Sequence, residues 1–331
     1  MTGELPPELA LLTNLLVLNL DTNSIDGELP VELTQMKHLY TLSVASNRFG
    51  STIPTWLGDM TNLAELVLSK NEFESSIPSA IGQMTSLMVL ALEGNYLVGD
   101  LSVLQPLSQL EELYLGENDL TGVINNDFLS NLTALVALDV SGNDFQGSVA
   151  RGLLRRPMLR YLDLHDNRLS GSLPSIPRST SLEFLAVQGN DIAGSIPDTI
   201  SGLEQLQHLD LSKNRFTGAM PVKLGLLTHL EYLFVGDNIR LTPGDIPENL
   251  KRLTALKELS MRQTQRNGNL PSWIGDLVEL RVLDVSDNHF DGSVPAAVGN
   301  LTALEFLLFR NNNFGGKLPN LSRLSNLGEC G

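Results

Sequence analysis

Apolar and polar positions alternate in short bursts along this chain, and the bursts recur. Between Leu206 and Leu230, Leu206, Leu209 and Leu211 are followed by Asn214, Phe216, Gly218, Met220-Pro221 and Leu224 before the pattern resumes. Leu209 and Leu211 share a parity while His208, Asp210 and Ser212 take the other, which predicts a short strand with one buried face. Asn214 suits the corner that follows, because one side-chain amide offers both donors and an acceptor to nearby backbone. Gly218 permits a tight turn, and Pro221, with no N–H to donate, keeps the returning segment out of a central ladder. Leu224 and Leu227 then close the coil. The same spacing starts at Leu15, Leu39, Leu63, Leu87, Leu110, Leu135, Leu159, Leu182, Leu206, Leu230, Leu256, Leu280 and Leu304, at intervals of 23 to 26 residues. No single coil can bury its own leucines, so the period predicts one α/β solenoid over 1–331. It comprises a partial first coil (1–14), thirteen repeats (15–326) and the start of a C-terminal cap (327–331).

The departures from the period are as informative as the period. The I-P or L-P pair of Leu29-Pro30, Ile53-Pro54 and Ile77-Pro78 decays to Leu101-Ser102, Ile124-Asn125 and Val149-Ala150, so the outer side must be built differently there. That region also carries Arg151, Arg155, Arg156 and Arg160, readable as a solvated edge or as a docking patch. Two residues are inserted between Asn238 and Gly244, which predicts a loop at the rim. In the next repeat Thr264 replaces the corner Asn and Arg266 stands at a usually apolar place. Two adjacent breaks of a rule kept elsewhere are candidates for function, with sequence drift as the alternative. A half-missing first coil exposes apolar edge, the mark of a segment from something longer. The one cysteine, Cys330, reads as the first half of a disulfide cap or as a free thiol.

Charge narrows the partners. With 38 acidic and 22 basic residues the net charge is -16, which argues against nucleic acid and reads either as a field for a basic partner or as plain solubility. No catalytic motif is found, the five histidines lack metal-ligand spacing, and no cofactor is expected. Asp139, Asp163, Asp210 and Asp284 share one strand position and are expected to face solvent in an L-D-L strand. No apolar run reaches the roughly 18 residues that span a bilayer.

Residues flanking the strand leucines point away from the core. Tyr161, Phe184, His208 and Tyr232 take the same place on four successive strands, and Tyr114 and Phe234 share their face. Only 5% of the chain is aromatic, so the row is expected either to bind a ligand or to stabilise the sheet by ring packing. The acidic neighbours Glu112, Glu117, Asp139, Asp163, Asp166, Asp210, Asp237 and Glu258 are expected to surround it. The expected ligand-binding set is Tyr114, Asp139, Tyr161, Asp163, Phe184, His208, Asp210, Tyr232 and Phe234.

The 24-residue G-x-I-P unit with L-T-x-L before the next strand resembles the plant-type leucine-rich repeat, over essentially the whole chain. The resemblance implies a right-handed superhelix with a parallel β-sheet on the concave face and short 3-10 or irregular segments on the convex face. That class fills the ectodomains of receptor-like kinases and receptor-like proteins, and secreted inhibitors of cell-wall-degrading enzymes are similar. It implies a non-catalytic module at the cell surface or outside the cell that binds a peptide or protein on its concave face. A carbohydrate-binding or enzyme-inhibiting relative and an intracellular assembly scaffold are the alternatives. Asn131, Asn300 and Asn320 stand in N-x-[ST] sequons and are expected to carry glycans if the protein is secreted.

Overall fold

The structure is a computed structural model that describes residues 1–176 and 181–331. Its residues form two compact units, Met1–Arg168 and Leu169–Gly331. In the first unit the strands Val17–Asn19, Thr41–Ser43, Glu65–Val67, Val89–Ala91, Glu112–Tyr114, Ala137–Asp139 and Tyr161–Asp163 pair in parallel, each with its predecessor. In the second unit Phe184–Ala186, His208–Asp210, Tyr232–Phe234, Glu258–Ser260, Val282–Asp284, Phe306–Leu308 and Glu329–Cys330 do the same. In all but the last, two-residue strand, the register sets the central leucine of each strand against that of the next, and these leucines are buried. Each three-residue strand thus turns its central leucine into the core and its two flanking residues to the opposite face, as parity requires.

After the corner, the first unit forms a second parallel layer from Thr2–Glu4 through Ser24–Gly27, Arg48–Thr52, Glu72–Ser76, Tyr96–Gly99 and Asp119–Val123 to Asp144–Ser148. Gly218 opens the corresponding turn in the second unit with φ +75°, where a side chain would be strained. The proline that ends this layer starts a five-residue 3-10 helix. The N–H of Leu224 donates to the Pro221 carbonyl at 3.1 Å, and Val222–Leu226 follows. Within that helix Gly225 has its neighbour coil almost on top of it, since a Cβ there would lie 2.1 Å from the Asn249 carbonyl oxygen. The recurrent L-G pair therefore sets how closely coils stack.

The corner asparagines do more than cap a turn. Asn71 accepts from Phe49 N–H in the preceding coil at 3.0 Å, while its Nδ2 donates to Val44 O of that coil and to Leu68 O and Ser69 O of its own. Asn214 repeats this in the second unit, accepting from Ile192 N–H at 3.0 Å and donating to Val187 O at 2.8 Å. One amide so satisfies buried backbone in two coils, each group of which would cost about 1–3 kcal/mol if left unpaired. The residue before the asparagine always has positive φ: Thr22, Ser46, Lys70, Gly94, Glu117, Gly142, Asp166, Gly189, Lys213, Asp237, Asp287 and Asn311. The framework tolerates left-handed backbone there because the two-coil hydrogen bonds over-determine it.

The two adjacent departures prove to be one. After Asn238 the chain turns outward, leaving Ile239 and Arg240 exposed, and only isolated bridges, Gly218 with Leu241 and Gly244 with Arg266, replace a second-layer strand. Thr264 Oγ1 donates to Met261 O at 2.7 Å, keeping the bond within its own coil. Arg266, 2% exposed at the place held elsewhere by Phe49, Phe73, Phe216 and Phe290, donates to the carbonyls of Asp245, Thr242 and Thr264. Its guanidinium supplies donors to loop carbonyls where isolated bridges stand in for a continuous ladder.

The outer side of the first unit changes as the loss of proline predicts. Ser102–Leu104 and Leu153–Arg155 are three-residue 3-10 helices, and between them lies the α-helix Asn126–Leu129, capped by Asn125. Arg156 donates to the carbonyls of Leu129 and Leu132, which withdraws it from any docking patch. Cys330 is an exposed free thiol on the last strand.

Asn214→Ala is expected to destabilise the chain by about 3 kcal/mol or more in urea unfolding, since several buried groups lose partners together. At position 213 the Gly variant is expected to exceed the Ala variant in stability by about 1 kcal/mol, the cost of left-handed backbone with a Cβ. Arg266→Met keeps volume but not donors; it should lower stability, and a rise would show that Arg266 merely fills space.

Candidate functional site

In the second unit, Phe184, His208 and Tyr232 face one another across adjacent strands, with Ala186, Asp210 and Phe234 in the parallel row. The rings meet. Phe184 and His208 have centroids 4.3 Å apart and planes within 17°, and His208 lies 5.5 Å from Tyr232 and 5.6 Å from Phe234. All four are partly exposed, whereas Leu185, Leu209 and Leu233 beneath them are fully buried. In-register parallel pairing causes this arrangement, since a ladder spacing of about 4.8 Å brings matched side chains to ring-contact distance. Asp210 accepts from Ser212 N–H at 2.8 Å, and beyond the rings Lys257 pairs with Glu231 at 2.5 Å and Arg262 with Asp287 at 2.7 Å. Burial, then Glu305, raises the Glu258 carboxyl above the usual range.

In the first unit the strands Glu112–Tyr114, Ala137–Asp139 and Tyr161–Asp163 carry hydroxyls and carboxylates at equivalent places. Tyr114 donates to Glu112 Oε2 at 3.1 Å, and Tyr161 to Asp163 Oδ2 at 3.2 Å, so both hydroxyls are tied to carboxylates of their own strands. Burial, then Glu112, pushes the Tyr114 hydroxyl up to about 12, and burial with Asp163 raises that of Tyr161 as well. Asp139 and Asp163 stand in register on neighbouring strands. Burial raises the Asp139 carboxyl, opposed by hydrogen bonds from Ser141 and reinforced by Asp163. His165 Nδ1 lies 2.7 Å from Asp163 Oδ1, and its Nε2 lies 4.0 Å from Asp166.

The expected ligand-binding set therefore divides by unit. Phe184, His208, Asp210, Tyr232 and Phe234 come together in the second, and Tyr114, Asp139, Tyr161 and Asp163 in the first. The acidic residues divide too, with Glu112, Glu117, Asp139, Asp163 and Asp166 in the first unit and Asp210, Asp237 and Glu258 in the second. One expectation fails: Asp163 is buried, at 5% exposure, instead of facing solvent. Its carboxylate folds back to accept His165 N–H at 3.0 Å, as Asp139 does from Ser141 and Asp284 from Ser286. The L-D-L aspartate closes an Asx turn at the strand end. Asn131, Asn300 and Asn320 are all exposed. Among the described residues no group of three or more His, Cys, Asp or Glu is placed to hold a metal ion, and no helix is long and apolar enough to cross a membrane.

His165 makes a pH prediction. The hydrogen bond to Asp163 raises its pKa above the ordinary value of about 6.5, against the opposing effect of burial. Its stabilising contribution is then complete below about pH 6.5 and disappears as pH rises through the folded-state pKa. The melting-temperature advantage of the native chain over His165→Gln should accordingly be largest near pH 5.5 and shrink by pH 8.5; an advantage that grew with pH would contradict the assignment.

Sequence comparisons match the coil geometry. A model described as "Leucine-rich repeat region" covers residues 146–268, and two further leucine-rich repeat models cover 37–97 and 279–301. Receptor-like protein 48 of Arabidopsis thaliana is 42% identical over 52 residues, 16% of this chain and 6% of that protein. The ectodomain of the plant membrane receptor kinase GASSHO1/SCHENGEN3 from Arabidopsis thaliana, in complex with Casparian strip integrity factor 2, superimposes with a TM-score of 0.83 at 31% identity. It is matched over 98% of this chain and 42% of its own. The plant peptide hormone receptor RGFR1, in complex with RGF2, gives 0.81 at 28% identity over 99% of this chain and 60% of its own. The chain thus spans less than two thirds of each of these proteins. Coils of 23 to 26 residues, strands in one register, an asparagine at every corner but that of Thr264 and these matches lead to one conclusion: the chain belongs to the leucine-rich repeat family, in its plant type.

Proposed function

We propose that this chain is the non-catalytic recognition part of a receptor-like protein at the cell surface, and that the open face of its second unit binds a partly apolar, basic peptide or protein segment. The carrying observation is the partly exposed ring cluster of Phe184, His208, Tyr232 and Phe234, with centroid separations of 4.3–5.6 Å. Contiguous exposed aromatics are the composition of a binding hot spot. Asp210, Asp237 and Glu258 give the surrounding surface the sign that a basic segment complements. In the first unit, partly exposed Asp139 offers a carboxylate to a cationic side chain, with the rings of Tyr114 and Tyr161 partly exposed on the same face and Asp163 buried beneath. The similarity to RGFR1, a peptide hormone receptor in complex with RGF2, supports the peptide reading, and the match to a receptor-like protein supports the location. Outside the cell, the exposed Asn131, Asn300 and Asn320 would carry glycans.

Selection of peptides from a displayed random library on the immobilised chain tests this. Enriched sequences should combine basic with aromatic or aliphatic residues. Phe184→Ala with Tyr232→Ala should weaken the best of them at least about tenfold while the melting temperature falls by only a few degrees. A large fall in melting temperature with unchanged affinity would make the rings sheet packing alone. Binding confined to cell-wall oligosaccharides, with no peptide enriched, would replace the reading with a carbohydrate-binding one.

A further inference from the structure

The outer side of the first unit contains a cavity that the repeat does not require. It measures about 270 Å³ and opens where the I-P pair has decayed, between the turn at Asp100–Ser102 and the capped helix Asn126–Leu129. In coils that keep the proline, a five-residue 3-10 helix follows it directly, as at Thr55–Asp59 and Ser79–Gln83. Here a three-residue 3-10 helix is followed by a coil with an α-helical turn, and the mismatch leaves space between them. Gly122 helps keep it open: its φ is +103°, and a Cβ there would come within 3.2 Å of the Asp100 Cβ.

The lining has a division of labour. Leu101, Phe128 and Phe145 are buried and form an apolar interior, and Val123 stands exposed at the rim. Asp100 and Asp127 place two exposed carboxylates among the lining residues. Asp100 is held in place by Ser102, whose N–H donates to its Oδ1 at 2.8 Å, and bonds from Ser102 lower its pKa, so it stays ionised at neutral pH. The second-layer strand Asp119–Val123 runs along the cavity, lining it with Thr121, Gly122 and Val123. The volume is slightly below the ~300–1,000 Å³ of clefts that enclose whole small ligands. An apolar interior with carboxylates suits a side chain that buries an aliphatic stem and keeps a cationic head at the edge.

We infer that this cavity is a socket for one lysine or arginine side chain presented by a protein partner, with exposed Val123 at its rim as an apolar contact. It is separate from the aromatic face of the second unit and stands or falls independently of it. The charge complementarity of a chain at -16 favours such a partner over an acidic one.

The test is an NMR titration of the isotope-labelled chain with N-acetyl-arginine amide, N-acetyl-lysine amide and uncharged N-acetyl-norleucine amide. One or both cationic probes should shift the amide signals of Gly122, Val123 and Phe128 to saturation, and the norleucine probe should bind at least about tenfold more weakly, the scale expected for two exposed ion pairs. Asp100→Asn with Asp127→Asn should weaken the cationic probes by a similar factor. Asp127→Lys, which keeps the Asp100–Ser102 bond, should abolish their binding. Shifts absent from the cavity, equal binding of the norleucine probe, or affinity unchanged in both variants would overturn the proposal. The relative strength of the arginine and lysine probes identifies the partner side chain.

Discussion

Each coil must turn sharply after a three-residue strand, and the backbone at that corner is enclosed by its neighbours. Unpaired N–H and C=O groups there would cost more than a few apolar contacts return. The corner asparagine removes that cost by serving two coils with one amide, as Asn71 and Asn214 do. The remaining architecture follows from it. A corner fixed by a side chain leaves the first outward position of each strand free to vary, from Glu112 and Tyr161 to Phe184 and Tyr232, while the last keeps an aspartate where an Asx turn closes the strand, as at Asp139 and Asp284.

The break in the rule supports this view. Where the chain swings out after Asn238, Thr264 bonds within its own coil and the buried guanidinium of Arg266 takes over the loop carbonyls. Arg156 does the same for the outer helix of the first unit. Arginine enters these interiors as a source of backbone donors, which its planar fork is suited to provide. Both sites lie where the repeat loses a regular element, so compensation explains residues that stand out as anomalies in the sequence.

The coil, its strand parity and the ring row were legible because each is a constraint repeated many times over. Leu209, Asn214 and Gly218 occupy positions whose demands are chemical and local. The left-handed residue before each asparagine was not legible, since Thr, Ser, Lys, Glu, Asp, Asn and Gly all fill it. The recurrent glycine at positions such as Gly225 was visible and carried a packing meaning that periodicity alone does not express. Parity placed Asp163 away from the leucine core but could not show its carboxylate folding back onto His165 N–H. Nor could it show the outer cavity, which arises from a mismatch between neighbouring turns and has no residue pattern of its own.

The claim that asparagine bonds between coils hold the framework is tested most directly by native-state hydrogen exchange. The amides of Phe49, Phe73, Ile192 and Phe216 each donate to an asparagine of the next coil. The account predicts that these four exchange as slowly as the strand amides of their coils, through the same cooperative opening. Fast exchange at these positions while the strand amides stay protected would contradict it, and would mean that leucine packing alone keeps the coils together.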